Sequence, residues 1–249
     1  MVKNDLASNG SAAPANAADG LRVRLDGSLP LAELTALLNG LCDRAQECGP
    51  PAIAVLTLAV TRPEDRSWPG RVAIRDVNRW EKAVHRLEKQ DNVTIAVAPG
   101  MCGGPALDVL LATDYRIATA QTRILLPVND GQFWPGMALH RLVHQVGIAR
   151  ARQLVMWGHE LSLAQALDLG LVDECADNAD AAVAAAMVLL GRIAQSDLAV
   201  RRRLLLEAPQ AGFDEALGVH LAACDRELRR LDRVAGLDGD SPAEAIDGD

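Results

Sequence analysis

With 249 residues, 49% of them hydrophobic and 23% charged, the chain has the size and composition of one globular domain with a full core. No apolar run reaches the ~18 residues of a membrane span, and no basic segment followed by an apolar one opens the sequence, so the reading is a cytoplasmic chain without membrane or export signal. The formal charge of −8 gathers in the tails, with five acids and no base from Ala235 to Asp249; the near-neutral body excludes a nucleic-acid footprint and suits an anionic small molecule. Five cysteines, Cys42, Cys48, Cys102, Cys175 and Cys224, form no C-x-x-C pair and are odd in number, which argues against a disulfide framework and against a zinc site.

Residues 1–19, rich in Ala, Asn, Ser and Asp, lack periodicity and read as a disordered tail. Leu21, Val23 and Leu25 alternate with arginines as a short, half-exposed strand. Pro30 opens a helix whose Leu31, Leu34, Leu38 and Leu41 share one face, ending near Gly49-Pro50. Ala52 to Val60 reads as a buried strand, and Thr61 to Arg71 as a polar loop. The next helix carries the stripe Val77, Trp80, Val84 and Leu87. Val93 to Ala98 is a second buried strand, followed by a glycine-rich turn and a helix from about Pro105 to Thr113. Tyr115–Thr119 and Arg123–Val128 are expected as strands, with a turn at Asn129-Asp130-Gly131. Helical segments follow near Met137–Val146, Ile148–Trp157 and Leu163–Leu169, the last stopped by Gly170, then an alanine-rich helix over 179–194. Residues 20–195 thus form the core. Residues 196–235 form a C-terminal helical region, in which Phe213, Leu217, Leu221, Cys224, Leu228 and Leu231 recur at three- and four-residue steps. Residues 236–249 read as a second disordered, acidic tail.

The central stretch, Asn92 to Ala118, runs from a strand through Pro99-Gly100 and Gly103-Gly104-Pro105 into a helix with Asp108 on its first turn. Such a helix start presents unpaired N–H groups and the positive end of a dipole to an oxyanion or phosphate. Read with Thr113-Asp114-Tyr115-Arg116-Ile117-Ala118, Trp134-Pro135-Gly136, Arg141-Leu142, Val146-Gly147, Gly158, Leu163-Ala164-Gln165-Ala166 and Leu169-Gly170-Leu171-Val172-Asp173, this order resembles the crotonase (enoyl-CoA hydratase/isomerase) superfamily over roughly residues 50–175. The resemblance implies an α/β fold, a crotonase-like spiral of ββα units with a C-terminal helical oligomerisation region, assembled as a trimer or a pair of trimers. It implies an acyl-CoA substrate and no cofactor other than the coenzyme A that belongs to the substrate. Crotonases hold the thioester carbonyl between two backbone N–H donors and stabilise an enolate; losing one such donor costs roughly 3–4 kcal/mol.

Carried over by residue, the first donor is Arg71, after Gly70. The second falls on Pro105, which has no N–H, so Gly104 or Ala106 serves through a one-residue shift, or the hole is incomplete. The first hydratase glutamate falls on Asp108, and the second on Val128, which moves no proton. Gly70, Gly103, Trp134 and Gly136 are the remaining substrate-binding candidates. Several residues keep two readings. Asp108 is a proton carrier or a first-turn acid favoured by the helix dipole; Asp130 replaces the missing glutamate or makes a turn; Trp134 walls the acyl pocket or packs the core. His140 and His144 are solvated or form a metal pair, Arg201-Arg202-Arg203 is a solvated face or meets CoA phosphates, and Cys102 packs or acts as a nucleophile.

Within the superfamily, Cys42-Asp43-Arg44-Ala45, Val77-Asn78-Arg79-Trp80-Glu81, Leu110 to Ala118, Trp134 to Leu139 and His220 to Arg226 resemble the smaller crotonase branch of the 3,5-dihydroxyphenylglycine pathway in glycopeptide-antibiotic producers. That branch implies a polyketidyl-CoA substrate and a type III polyketide synthase as partner, with the crotonase assisting cyclisation or dehydration to 3,5-dihydroxyphenylacetyl-CoA. A non-catalytic partner of the synthase and a general enoyl-CoA hydratase/isomerase are the alternatives.

Overall fold

The central strand, β3 (Val93–Ala98), is buried at all six positions and has a parallel neighbour on each side, β2 (Ile53–Leu58) and β5 (Tyr115–Ala118). Outside these lie β1 (Arg22–Leu25) and β10 (Glu174–Cys175), which complete a five-stranded parallel sheet in the order β1-β2-β3-β5-β10. A parallel sheet of this kind is covered on both faces, and its strands read as continuous apolar runs. The computed structural model describes residues 21–49, 52–60, 67–158, 160–191, 195–209 and 212–238.

Alternation along the strands sorts side chains between the two faces. Ile53, Val55, Val93, Ile95, Val97 and Ile117 form one cluster with Ala182, Val183 and Ala186 of α6 (Ala179–Gly191), large strand residues meeting a small-residue helix. Ala54, Leu56, Ala96, Ala98 and Ala118 point the other way, into the larger core with the leucines of α1 (Leu31–Cys48) and with Trp80, Ala83, Val84 and Leu87 of α2 (Ile74–Lys89). On that side the central strands present alanines. This leaves room for α3 (Pro105–Leu111), all seven residues of which are buried.

The chain repeatedly leaves this sheet for a smaller one. After β3 it makes β4 (Met101–Cys102), after β5 it makes β6 (Arg123–Ile124), and β9 (Leu161–Ser162) precedes β10; β4, β6 and β9 form a three-stranded sheet. This α/β winding of paired strands and helices is the spiral expected from the sequence. The strand expected over Arg123–Val128 is only the two residues of β6, although Leu125 N–H still donates to Cys102 O at 2.8 Å, and Pro127 beyond it has no N–H to offer a ladder. Val128 instead opens a hairpin of β7 (Val128–Asn129) and β8 (Gln132–Phe133), with Asp130 at φ 50° in its turn. The two helical segments expected near 137–157 are one element, α4 (Ala138–Trp157), broken at Gly147 by φ 75° and ψ 159°. Next, α5 (Leu163–Asp168) starts on a capping box between Ser162 and Gln165 and ends before Gly170 at φ 67°.

By packing, the chain divides into Met1–Ala199 and Val200–Asp249. The boundary falls within α7 (Gln195–Glu207), and the second unit holds the remainder of α7 with α8 (Phe213–Asp238). Helix α8 carries the apolar stripe read from the sequence, with Phe213, Leu217, Leu221, Leu228 and Leu231 all exposed. It continues to Asp238, past the expected start of the acidic tail. Residues 1–19, most of the loop at 61–66, positions 192–194 and the tail from 239 lie outside the described residues. Among those described, no helix is long and apolar enough to cross a membrane.

Candidate active site

Helix α3 is held at both ends. At its C-terminal end the last carbonyls have no partner within the helix, and Arg116 supplies donors: Nη2 to Leu111 O at 3.2 Å and Nε to Thr113 O at 3.1 Å. Its Nη1 donates to Gln145 Oε1 at 2.8 Å, and the Gln145 amide donates to Leu111 O at 2.6 Å. Asp114 accepts from Thr94 N and Thr94 Oγ1, and Asp173 accepts from Arg116 N. The Thr113-to-Arg116 motif and Asp173 therefore clamp α3 to the sheet.

At the other end, Gly104 is the N-cap with φ 52° and ψ −126°, a conformation open to glycine, and Pro105 follows where a missing N–H costs nothing. One turn on, Asp108 is 3% exposed and accepts a hydrogen bond from Trp80 Nε1 to Oδ2 at 2.9 Å. Burial, reinforced by the nearby Glu81 charge, pushes its carboxyl up to about 7, against the opposing effects of Trp80, Arg141 and the Trp68 indole. Trp68 and Trp80 meet edge to face with centroids 5.5 Å apart. Glu81 also accepts from Met137 N at 3.2 Å, and its other oxygen lies 3.4 Å from Nη1 of the buried Arg141. Arg141 Nε is 3.6 Å from Glu88, so the acids of α2 and the base of α4 form a charged seam beside Asp108.

A cleft of about 430 Å³ opens over this helix start, lined by Gly103, Gly104, Pro105, Trp68, Leu125, Leu126 and Pro127 at one side and by Val60, Arg24, Asp26 and Ser28 at the other. Its walls combine polar surface, from Arg24, Asp26, Ser28 and the glycine backbone, with the apolar Trp68, Leu125 and Leu126. Ala106 N–H is spent on Gly103 O at 3.1 Å and Asp108 N–H on Gly104 O at 3.2 Å, whereas Gly104 N–H makes no hydrogen bond among the described residues.

The pattern of enoyl-CoA hydratase/isomerase proteins matches residues 76–226. An enoyl-CoA-hydratase of Amycolatopsis orientalis is 41% identical over 214 residues, covering 84% of this chain and 96% of that protein. The chain belongs to the crotonase family. Its fold agrees with crystal structures of the enoyl-CoA hydratase from Bacillus anthracis (TM-score 0.68, 18% identity, 88% and 91% of the two chains) and of an enoyl-CoA hydratase/isomerase from Cupriavidus metallidurans (TM-score 0.67, 21% identity, 83% and 84%).

In this crotonase the residues singled out in the sequence fall into two groups. Gly103 and Gly104 line the cleft, with Asp108 buried on the first turn of the helix they begin. Gly70, Arg71 and Trp134 line a separate, shallow depression with Asn129, and Gly136 packs against the Trp134 ring. Arg71, expected to face Gly104 as the first oxyanion donor, is exposed and does not line the cleft; the residue of its loop that does is Trp68. Asp130 is an exposed turn residue whose N–H donates to Ser67 Oγ at 3.1 Å. Burial, together with the Asp108 charge, pushes the Cys102 thiol up to about 12, which keeps it protonated and unreactive. His140 and His144 bring their Nε2 atoms within 3.0 Å on an exposed face, and no group of three metal-binding side chains occurs among the described residues. Arg203 pairs with Glu207 along α7 while Arg202 is buried.

Trp68, Trp80, Glu81 and Arg141 were not read as site residues. Trp80 carried a signal as a large residue on the core stripe one helix before Asp108. Trp68 carried a weaker one, as a tryptophan in an otherwise polar loop.

Proposed function

We propose that this crotonase binds a polyketidyl-CoA thioester and, alongside a type III polyketide synthase, promotes the loss of water that leads to 3,5-dihydroxyphenylacetyl-CoA. The observation that carries the reading is Asp108, a buried carboxyl with pKa about 7 on the first turn of the helix whose start lines the cleft. A single carboxyl in that range can do both halves of an elimination. As carboxylate it takes the proton α to the thioester carbonyl, leaving an enolate; as acid it returns that proton to the β-hydroxyl, which departs as water while the enolate electrons form the new double bond. Catalysts of this kind work best with pKa near the operating pH. The Gly104 N–H is the available backbone donor for the enolate oxygen. Val128 at the second-glutamate position argues against ordinary two-carboxylate hydration. The exposed stripe of α8 suits assembly as a trimer or hexamer, and the cytoplasm is the compartment proposed for a CoA-dependent chain of this kind.

A second reading, a non-catalytic partner of the synthase, is favoured by one feature: Asp108 is absent from the cleft lining, and Pro105 and Ala106 offer the cleft no free N–H. Product formation from malonyl-CoA by the synthase, with and without this protein, separates the two. Loss of stimulation by Asp108→Asn with CoA-ester binding intact supports proton transfer. Full stimulation by the variant supports the partner role.

A further inference from the structure

His140 and His144 take no part in the chemistry around Asp108. They lie four residues apart on the first half of α4, before the break at Gly147, and both are exposed. Residues at that spacing share a helix face. The two rings meet with centroids 4.3 Å apart at an angle of 54°, and their Nε2 atoms approach to 3.0 Å. Left to themselves, one ring donates its Nε2–H to the Nε2 of the other. When both rings carry their proton on Nδ1 instead, two nitrogen lone pairs converge, which is the arrangement a metal ion takes from a pair of neutral imidazoles.

The separation discriminates between coordination geometries. With metal–nitrogen bonds of about 2.0–2.1 Å, two ligands at 90° stand about 2.9–3.0 Å apart, and two at the tetrahedral angle about 3.3–3.4 Å. The observed 3.0 Å is thus the spacing of adjacent ligands in tetragonal sites, which suit Cu2+ and Ni2+, rather than in the tetrahedral sites usual for Zn2+. The other titratable or charged groups that act on His140 are Arg141, Glu88 and His85. Glu88 Oε2 is already shared between His85 Nδ1 at 3.3 Å and Arg141 Nε at 3.6 Å. No group of three metal-binding side chains occurs among the described residues, which leaves the further coordination positions to water.

We infer that His140 and His144 form a two-histidine site for a copper(II) or nickel(II) ion, which pins the first half of α4. Both ligands are in reach of one ion only while this turn is helical, so the ion binds the folded chain in preference to the unfolded one and stabilises it. The pinned turn is the one that carries Arg141 to Glu81 and Glu88.

The test is calorimetric titration of the full chain, first stripped with a chelator, with Ni2+ and with Cu2+. One ion per chain should bind, Cu2+ more tightly than Ni2+, and excess Mg2+, which prefers oxygen ligands, should displace neither. His140→Ala and His144→Ala, both substitutions at exposed positions, should each weaken binding by about tenfold or more. His85→Ala, on the facing helix, should change it by less than about threefold. Bound Cu2+ should show hyperfine splitting from two nitrogens in its paramagnetic resonance spectrum, and from one in either single variant. Saturating Ni2+ should raise the Tm of wild type and leave that of the His140→Ala/His144→Ala double variant unchanged. Affinity and stoichiometry retained in the double variant would show an adventitious ion only and overturn the inference. A loss in His85→Ala as large as in His144→Ala would overturn the two-histidine assignment, and binding without a rise in Tm would overturn the pinning of α4.

Discussion

The two ends of α3 each bury a charged side chain and treat it in opposite ways. At the C-terminal end Arg116 finds Leu111 O, Thr113 O and Gln145 Oε1. These acceptors come from the end of α3, the turn after it and α4, so the buried guanidinium locks the helix end to its surroundings. At the N-terminal end Asp108 accepts one indole hydrogen bond, from Trp80, and has the acid Glu81 nearby, and its carboxyl rises to about 7. A buried guanidinium whose three nitrogens all reach acceptors makes a fixed joint. An incompletely answered one keeps a proton in play, which is what marks Asp108 rather than Arg116 as the chemical group.

Breaking the joint should have the largest effect. Arg116→Met takes the donor from Thr113 O and from the Gln145 amide oxygen and leaves Leu111 O with Gln145 alone, and it is expected to cost on the order of 3–5 kcal/mol in urea unfolding; a loss below about 1 kcal/mol would mean that the two ends do not differ as described. The Asp108 end predicts a gain instead. Its folded pKa of about 7 lies above the ~3.9 of an unfolded chain, so between those values the folded state holds more protons. Stability therefore falls as pH rises through that window and levels off above it. Asp108→Asn, which cannot charge, should be more stable than wild type by about 2 kcal/mol at pH 8.5 and nearly equal at pH 5, measured by urea unfolding at both. Equal stability at both pH values would sink the claim of an unanswered charge. Gly104→Ala forces a side chain into a positive-φ position against Trp68 and should cost about 1–2 kcal/mol, read as a drop in Tm. Asp130→Gly, in the exposed hairpin turn at φ 50°, should be neutral to stabilising by up to about 1 kcal/mol. Synthase stimulation in that variant should change by less than about twofold, against the hundredfold loss that removing a general acid brings.

Elements with strong internal periodicity could be read directly. Leu31, Leu34, Leu38 and Leu41 all bury their side chains on α1, and Gly147 breaks α4 between the two expected segments. The short strands β4, β8, β9 and β10 carry two residues each, too few for a pattern, and exist because partners elsewhere in the chain complete them. At the site, Asp108 was legible because its place after a glycine-rich turn is a local feature. Trp68 was not, since its role depends on Val128 O, Gly104 and Trp80, none of them near it in sequence. The pairing of Ser67 and Trp68 with Val128, likewise distant in sequence, is what brings Trp68 of this loop to the cleft.

The break at Gly147 uncouples the two halves of α4. In a continuous helix, inserting or deleting one residue turns everything beyond it by about 100°, and a buried anchor such as Arg141 would fix the direction of every later side chain. Here the first half, which buries Arg141 and Leu142 beside the charged seam, and the second, which buries Ala151 and exposes Ile148, Met156 and Trp157, do not share a register. The outward-facing half can drift in sequence without rotating Arg141 away from Glu81.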